Sequence, residues 1–244
     1  RGSVTTVPKG RFRRAAESLT APVGSVRRLT RVGNQIVLTY DDGPDPQLTP
    51  RLLELLAARG YSATFFTLLQ RARRHPEVLR DAVRQGHEIA LHGWDHRPLT
   101  EFGGTDLTAS LRAAREELSD LIGLPVRWFR PPYGAQSWAS WRATRSAGLE
   151  PVMWSASSYD TTNISPRVRA ERVSQSLDPG TIILSHDGMA DADDGAPTVG
   201  ATIDRIAVAE WLLTEVGHRG LRGVSVGDAV AGGGRLSRAA WFGG

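Results

Sequence analysis

The stretch Ile36-Val37-Leu38-Thr39-Tyr40-Asp41-Asp42-Gly43-Pro44 runs from β-branched and aromatic residues into a pair of aspartates and a turn. Its apolar half reads as a buried strand. Carboxylates are costly at the end of such a strand unless a metal or a charge partner satisfies them. The arrangement recurs along the chain. His92-Gly93-Trp94-Asp95-His96 follows the strand-like run 88–91, Arg130-Pro131-Pro132-Tyr133-Gly134 follows 126–129, and Leu184-Ser185-His186-Asp187 closes the run that begins at Thr181. Polar chemistry at the same end of successive strands is the pattern of an active site on the C-terminal face of an α/β barrel.

Working outward, strand-like runs at 36–40, 63–68, 88–91, 126–129, 151–154, 181–184 and 223–226 alternate with helix-period segments at 48–59, 76–85, 106–121, 138–147, 166–177 and 199–216. Gly60 and Gly86 stand where helix C-caps are expected, and Pro76 and Pro166 where a first helical turn tolerates a missing N–H. Alternating βα units form either an open doubly wound sheet or a closed barrel. No Gly-x-Gly-x-x-Gly follows the first strand, which argues against a dinucleotide-binding sheet. Motifs spread over the ends of several strands favour the barrel.

At 244 residues the chain is long enough for one large core. No apolar run approaches the roughly 20 residues of a membrane helix. The net charge of +4 is unevenly placed, because residues 1–33 carry eight basic side chains against Glu17 alone, a local +7 that leaves −3 for the remainder. A nucleic-acid enzyme carries its positive charge along a folded face, so no nucleic-acid partner is expected. Residues 1–33 read as a flexible basic leader, 34–230 as the catalytic domain, and 231–244 as a Gly-rich tail. With no cysteine, disulfides and thiolate chemistry are excluded. The chain starts Arg1-Gly2-Ser3 and reads as a processed or engineered fragment. The expectation is a monomer, secreted or associated with the cell envelope.

Neighbouring strand residues point to opposite faces, so Asp41 and Asp42 share a site only where the strand ends and turns at Gly43-Pro44. One can bind a metal while the other stays free as a base; a turn using the aspartates for local hydrogen bonds is the alternative. His92 and His96 are four apart and fall on one face if the chain turns helically. With Asp42 they make a His-His-Asp set that leaves positions open for water, as in catalytic zinc sites. His87 reads as a loop anchor, and His75 and His218 as surface residues. Arg130 could clamp a carboxylate, Pro131 and Pro132 stiffen the backbone that aims the Tyr133 N–H at an oxyanion, and His186 suits general acid work. The loop from Asp187 to Asp194, with Asp191 and Asp193, reads as a solvated acidic rim.

Together these stretches resemble the polysaccharide deacetylase family, the NodB-homology or carbohydrate esterase family 4 domain, over roughly residues 35–230. The resemblance implies a distorted (β/α)7 barrel in one domain. It implies Asp41 as catalytic base, Asp42, His92 and His96 as ligands of a divalent metal (zinc foremost, cobalt or nickel as substitutes), Arg130, Pro132 and Tyr133 as an Arg-x-Pro-Tyr motif, and Leu184 and His186 as a Leu-x-His motif. It also implies an acetylated carbohydrate as substrate, attacked at an N-acetyl or O-acetyl group. Gly93 replaces the Ser or Thr that braces the second metal-binding His. The family's Asp-x-x-Asp-Trp falls on Ser157-Ser158-Tyr159-Asp160-Thr161, which keeps Asp160 in the catalytic set and puts Thr161 where a Trp walls the acyl pocket. Trp138, Trp141 and Met189 are candidate replacements for that wall. Two other classes compete. A glycosidase needs carboxylates about 5 Å or more apart across a bond, which adjacent aspartates suit poorly, and a non-catalytic sugar-binding homologue is the second.

Overall fold

The computed structural model describes residues 23–102, 104–196 and 203–240. Its strands are β1 (Ser25–Thr30), β2 (Gln35–Asp41), β3 (Thr64–Thr67), β4 (Glu88–Leu91), β5 (Trp128–Phe129), β6 (Glu150–Pro151), β7 (Ala156–Ser157), β8 (Ile182–His186), β9 (Arg222–Val224) and β10 (Arg235–Ala239). Helices α1 (Leu48–Ala57), α2 (Leu69–Arg74), α3 (Pro76–Arg84), α4 (Gly104–Ile122), α5 (Trp138–Ser146), α6 (Pro166–Ser174), α7 (Arg205–His218) and α8 (Val226–Ala231) connect them. The main sheet runs β6-β5-β4-β3-β2-β8-β7, with β9 paired to the start of β2. Its pairings are parallel. This curled parallel sheet with outer helices is the expected distorted (β/α)7 barrel. Among the described residues, no helix is long and apolar enough to cross a membrane.

The sheet's two faces part by strand parity. Ile36, Leu38, Tyr40, Phe65, Ile89 and Leu91 pack outward against Leu52 and Leu56 of α1 and Leu212 of α7. The outer helices bury matching stripes, such as Thr49, Leu52, Leu53 and Leu56 on α1. Val37, Phe66, Ala90, Trp128 and Ile182 face inward, where Val26 and Leu29 of β1 and Val226 and Ala229 of α8 complete a second cluster. Each Val, Leu, Ile or Phe among them contributes about 1.5–3 kcal/mol on full burial. Counting on in twos, Asp41 lies on the face of Val37, His92 on that of Ala90, Arg130 on that of Trp128, and Leu184 and His186 on that of Ile182. The inner face therefore changes from apolar to ionic toward the C-terminal ends of the strands, and one alternation places both the floor and the site.

Three differences from the sequence reading stand out. Residues 1–22 of the leader lie outside the described residues, but Ser25–Thr30, inside the stretch assigned to it, is strand β1. It pairs antiparallel with β10, which comes from the stretch assigned to the tail. The folded body thus extends past 34–230 at both ends, because β1 bridges Val152 and Thr181 and closes the barrel between β6 and β8. Arg-rich β1 hides its pattern, since only Val26 and Leu29 need to face the core. The helix expected over 199–216 begins at Arg205, and its first residues lie outside the described set.

Candidate metal centre and active-site cleft

β2 ends at Asp41, and Asp42 follows with a left-handed φ of 73°. That turn brings its carboxylate onto the same side as its neighbour, against the parity of an extended strand. Any Cβ at Gly43 would overlap the Asp187 carboxyl, so the turn after the aspartates needs glycine there. The two aspartates then meet different partners. Arg130 Nη1 donates to Asp41 Oδ1 at 2.6 Å, whereas Asp42 Oδ1 lies 3.4 Å from His92 Nε2 and 3.2 Å from His96 Nε2.

Asp42, His92 and His96 are all buried, and each offers one ligand atom within 4.8 Å of the others. Asp42 Oδ1 has no hydrogen-bond donor of its own. The His92 Nδ1–H donates to the Arg130 carbonyl at 2.7 Å, which turns Nε2 toward Asp42. Burial works against the charged form of Asp42, but the two imidazoles outweigh it and hold its carboxyl well below the usual carboxylate range. A divalent ion fits this donor set: two nitrogens and one oxygen converge on a pocket that leaves the oxygen otherwise unpartnered.

The histidine pair is not helical, as the spacing suggested it could be. Residues 92–98 form a bent loop held by Leu69 N–H to the Gly93 carbonyl at 2.9 Å and His96 N–H to the Asp194 carbonyl at 2.7 Å. Gly93 has φ +113°, and a Cβ there would sit 2.9 Å from the Asp95 carbonyl oxygen, so this backbone excludes the family's Ser or Thr. His96 Nδ1 is correspondingly buried without a protein hydrogen-bond partner. Ring contacts hold the imidazole instead: Tyr133 meets it edge-on at 4.3 Å and His92 at 5.3 Å.

Arg130 is fully buried. Besides Asp41 it donates to Thr39 Oγ1 at 2.9 Å, the Val152 carbonyl at 3.0 Å and the Met153 carbonyl at 3.2 Å, and its guanidinium lies 4.1 Å from the Phe66 ring centroid. Tyr133 adopts φ 57°, and its N–H donates to no protein acceptor among the described residues. Pro132 is buried in the same 3-10 turn, with its ring against Gly93, and does not line the cleft.

His186 Nδ1–H donates to Asp160 Oδ1 at 2.8 Å, and the His186 N–H to Asp160 Oδ2 at 2.7 Å. Burial disfavours the imidazolium, but Asp160 first, then Asp42 and Asp41, push its pKa up to about 9. Burial raises the Asp160 carboxyl while His186 and Arg205 lower it, and the net direction is down.

These groups open onto a cleft of about 420 Å³ lined by Asp41, Asp42, His92, His96, Tyr133, Trp154, Thr161, Leu184, His186, Met189 and Arg205, among others. Of the wall candidates, Met189 is there, whereas Trp138 stacks on Trp141 at 4.9 Å, half exposed and away from the cleft. Trp154, read only as the end of a strand, supplies the aromatic wall. The loop after His186 is not solvated throughout. Asp187 is buried, takes a hydrogen bond from Thr49 Oγ1 at 2.7 Å, and is pushed up to about 7 by burial with Asp42 and Asp41 adding to it. Asp194 is buried against Arg71 Nη2 at 2.6 Å, while Asp191 and Asp193 are exposed. Arg71 reads as an ordinary helix-surface cation in sequence, which is why this anchor was not legible. His87 is remote from the cleft and accepts from the Ala63 N–H at 3.2 Å, kept neutral by burial.

The family profile described as Polysaccharide deacetylase matches residues 29–152. The chain is similar to the chitooligosaccharide deacetylase of Azorhizobium caulinodans, with 35% identity over 170 residues covering 68% of this chain and 80% of that one. It shares 30% identity over 197 residues with a peptidoglycan-N-acetylglucosamine deacetylase of Bacillus cereus, covering 80% of this chain and 87% of the relative. The solved family 4 carbohydrate esterase from Streptomyces lividans, in complex with acetate, superposes with a TM-score of 0.68 at 26% identity, over 85% of this chain and 98% of the other. With its profile, relatives, barrel and buried Asp-His-His set in agreement, the chain belongs to the polysaccharide deacetylase family, carbohydrate esterase family 4.

Proposed function

We propose that this chain hydrolyses acetyl groups on a carbohydrate, foremost the N-acetyl group of an amino sugar. The observation that carries the reading is the Asp42-His92-His96 donor set opening onto the same cleft as Asp41 and His186. Relatives named for chitooligosaccharide and peptidoglycan-N-acetylglucosamine deacetylation favour N-acetyl over O-acetyl substrates.

When bound, a divalent ion on Asp42, His92 and His96 supplies Lewis acidity toward the acyl oxygen and makes water acidic enough to attack near neutral pH. The mixed nitrogen and oxygen set suits zinc, with cobalt or nickel as substitutes. Asp41, aimed by the Arg130 hydrogen bond, accepts the proton of the attacking water. The free Tyr133 N–H is placed to receive the negative charge that develops on the acyl oxygen. His186, charged and oriented by Asp160, gives its proton to the departing sugar nitrogen as the C–N bond breaks, so acetate and a free amine result. Leu184, Thr161 and Trp154 border the acyl group.

Dialysis against a strong chelator should abolish acetate release from acetylated chitooligosaccharides, and zinc or cobalt should restore it. Full activity in the metal-free protein would overturn the reading. New reducing ends without a metal requirement would indicate a glycosidase, and saccharide binding without acetate release a non-catalytic homologue.

The His186–Asp160 pair predicts a pH signature. A histidine raised to about 9 keeps its proton through neutrality, so kcat/KM should fall only as pH rises through that value. The same pair stabilises the fold fully below the ordinary histidine value of 6.5, and the contribution is lost as pH rises through about 9. Asp160→Asn should move the alkaline limb to lower pH. His186→Ala should cost amide substrates far more than activated aryl acetates, whose leaving groups need little protonation. Equal losses on both substrates would assign His186 to positioning instead.

A further inference from the structure

Arg205 opens α7 and lines the cleft, yet no feature of the reaction uses it. The other two arginines beside the site are neutralised, Arg130 by Asp41 and Arg71 by Asp194. Arg205 has no carboxylate within ion-pair distance among the described residues, and its Nε is buried without a hydrogen-bond partner. The undescribed stretch just before α7, residues 197–202, contains no acidic side chain. Its charge helps hold the Asp160 carboxyl in the charged form from beyond contact, and the adjacent Asp204 is engaged as the helix N-cap by the Ala207 N–H. A guanidinium partly withdrawn from water and lacking a protein anion is costly unless something else completes it. Its planar fork matches a carboxylate in two parallel hydrogen bonds.

The same cleft is lined by Thr161, small and exposed, where the family pattern has Trp. A substituent entering this cleft finds a guanidinium at Arg205 and no indole at position 161. The exposed acids of the neighbouring loop form no ion pair with it among the described residues: Asp191 lies 3.7 Å from Arg71 and caps the loop's own turn by accepting from the Asp193 N–H.

We propose that Arg205 is a specificity-determining residue that binds a carboxylate on the substrate, so that the preferred substrate is an N-acetylated amino sugar bearing an acidic substituent near the acetamido group. This rests on the deacetylase reading and adds the substrate class.

The test compares an oligosaccharide of alternating N-acetylglucosamine and N-acetylmuramic acid, whose lactyl groups carry carboxylates, with the same oligosaccharide after conversion of those carboxylates to primary amides. With zinc-loaded protein, acetate release should favour the acid form at least ten-fold in kcat/KM. Arg205→Gln should bring that ratio close to one, and Arg205→Lys should retain part of it. A wild type that treats acid and amide alike overturns the proposal. So does an Arg205→Gln variant that loses equally on both, because Arg205 would then act through Asp160. If neither compound releases acetate, the deacetylase reading fails by itself. Calorimetric binding of the same pair then still reads Arg205: acid preference removed by Arg205→Gln supports it, and equal or absent binding overturns it.

Discussion

Asp41→Asn is expected to lower kcat by about 10² to 10⁴, the range for losing a positioned general base, while leaving the metal content intact. Asn keeps an oxygen for Arg130 Nη1, which now reaches Asp41 at 2.6 Å, so the local geometry should survive. What disappears is the ability to take a proton. The pairings separate this residue from its neighbour, because Asp42 Oδ1 is the oxygen that sits 3.4 and 3.2 Å from the two imidazoles. Asp42→Asn should therefore empty the metal site, and metal analysis beside single-turnover kinetics reads both effects. An Asp41→Asn protein that lost its metal while Asp42→Asn kept it would reverse the two roles.

Arg130→Met is expected to be the most destabilising single change in the site. The guanidinium is fully buried and satisfies Asp41, Thr39 and the carbonyls of Val152 and Met153 at once. Removing one partner of a buried pair leaves an uncompensated charge and typically costs about 3–5 kcal/mol. At about 2–4 °C per kcal/mol for a chain of this size, the melting temperature should drop by roughly 6–20 °C. The double variant Asp41→Asn with Arg130→Met should melt above Arg130→Met alone, since it leaves no unpaired carboxylate. A double variant no more stable than Arg130→Met would show that the lost carbonyl contacts, and not the stranded charge, dominate. Calorimetry on the metal-loaded proteins distinguishes the two.

The donor residues and their order were legible because each strand announces itself by apolar, β-branched residues and each site residue follows directly on. Once Val37, Ala90, Trp128 and Ile182 are on strands, parity alone sends Asp41, His92, Arg130 and His186 to one face. The sequence also carried the family pattern and its departures at Gly93, Ser157 and Thr161. Other features needed the folded chain. Strand β1 has too few apolar residues to signal itself, and it is a strand because β10 and the barrel opening supply its hydrogen bonds. Trp154 rather than Trp138 walls the cleft, because strand direction and helix packing, not residue type, decide which ring faces inward.

Charge states belong to the tertiary structure for the same reason. Asp187 and Asp193 are identical side chains in one acidic loop, yet one is buried beside Asp41 and Asp42 and pushed up to about 7 while the other is exposed to solvent. A sequence fixes which groups can ionise and roughly where along a strand they fall. Their solvation and their neighbours are set by segments far away in the chain, and those two quantities govern the free energy of a buried charge.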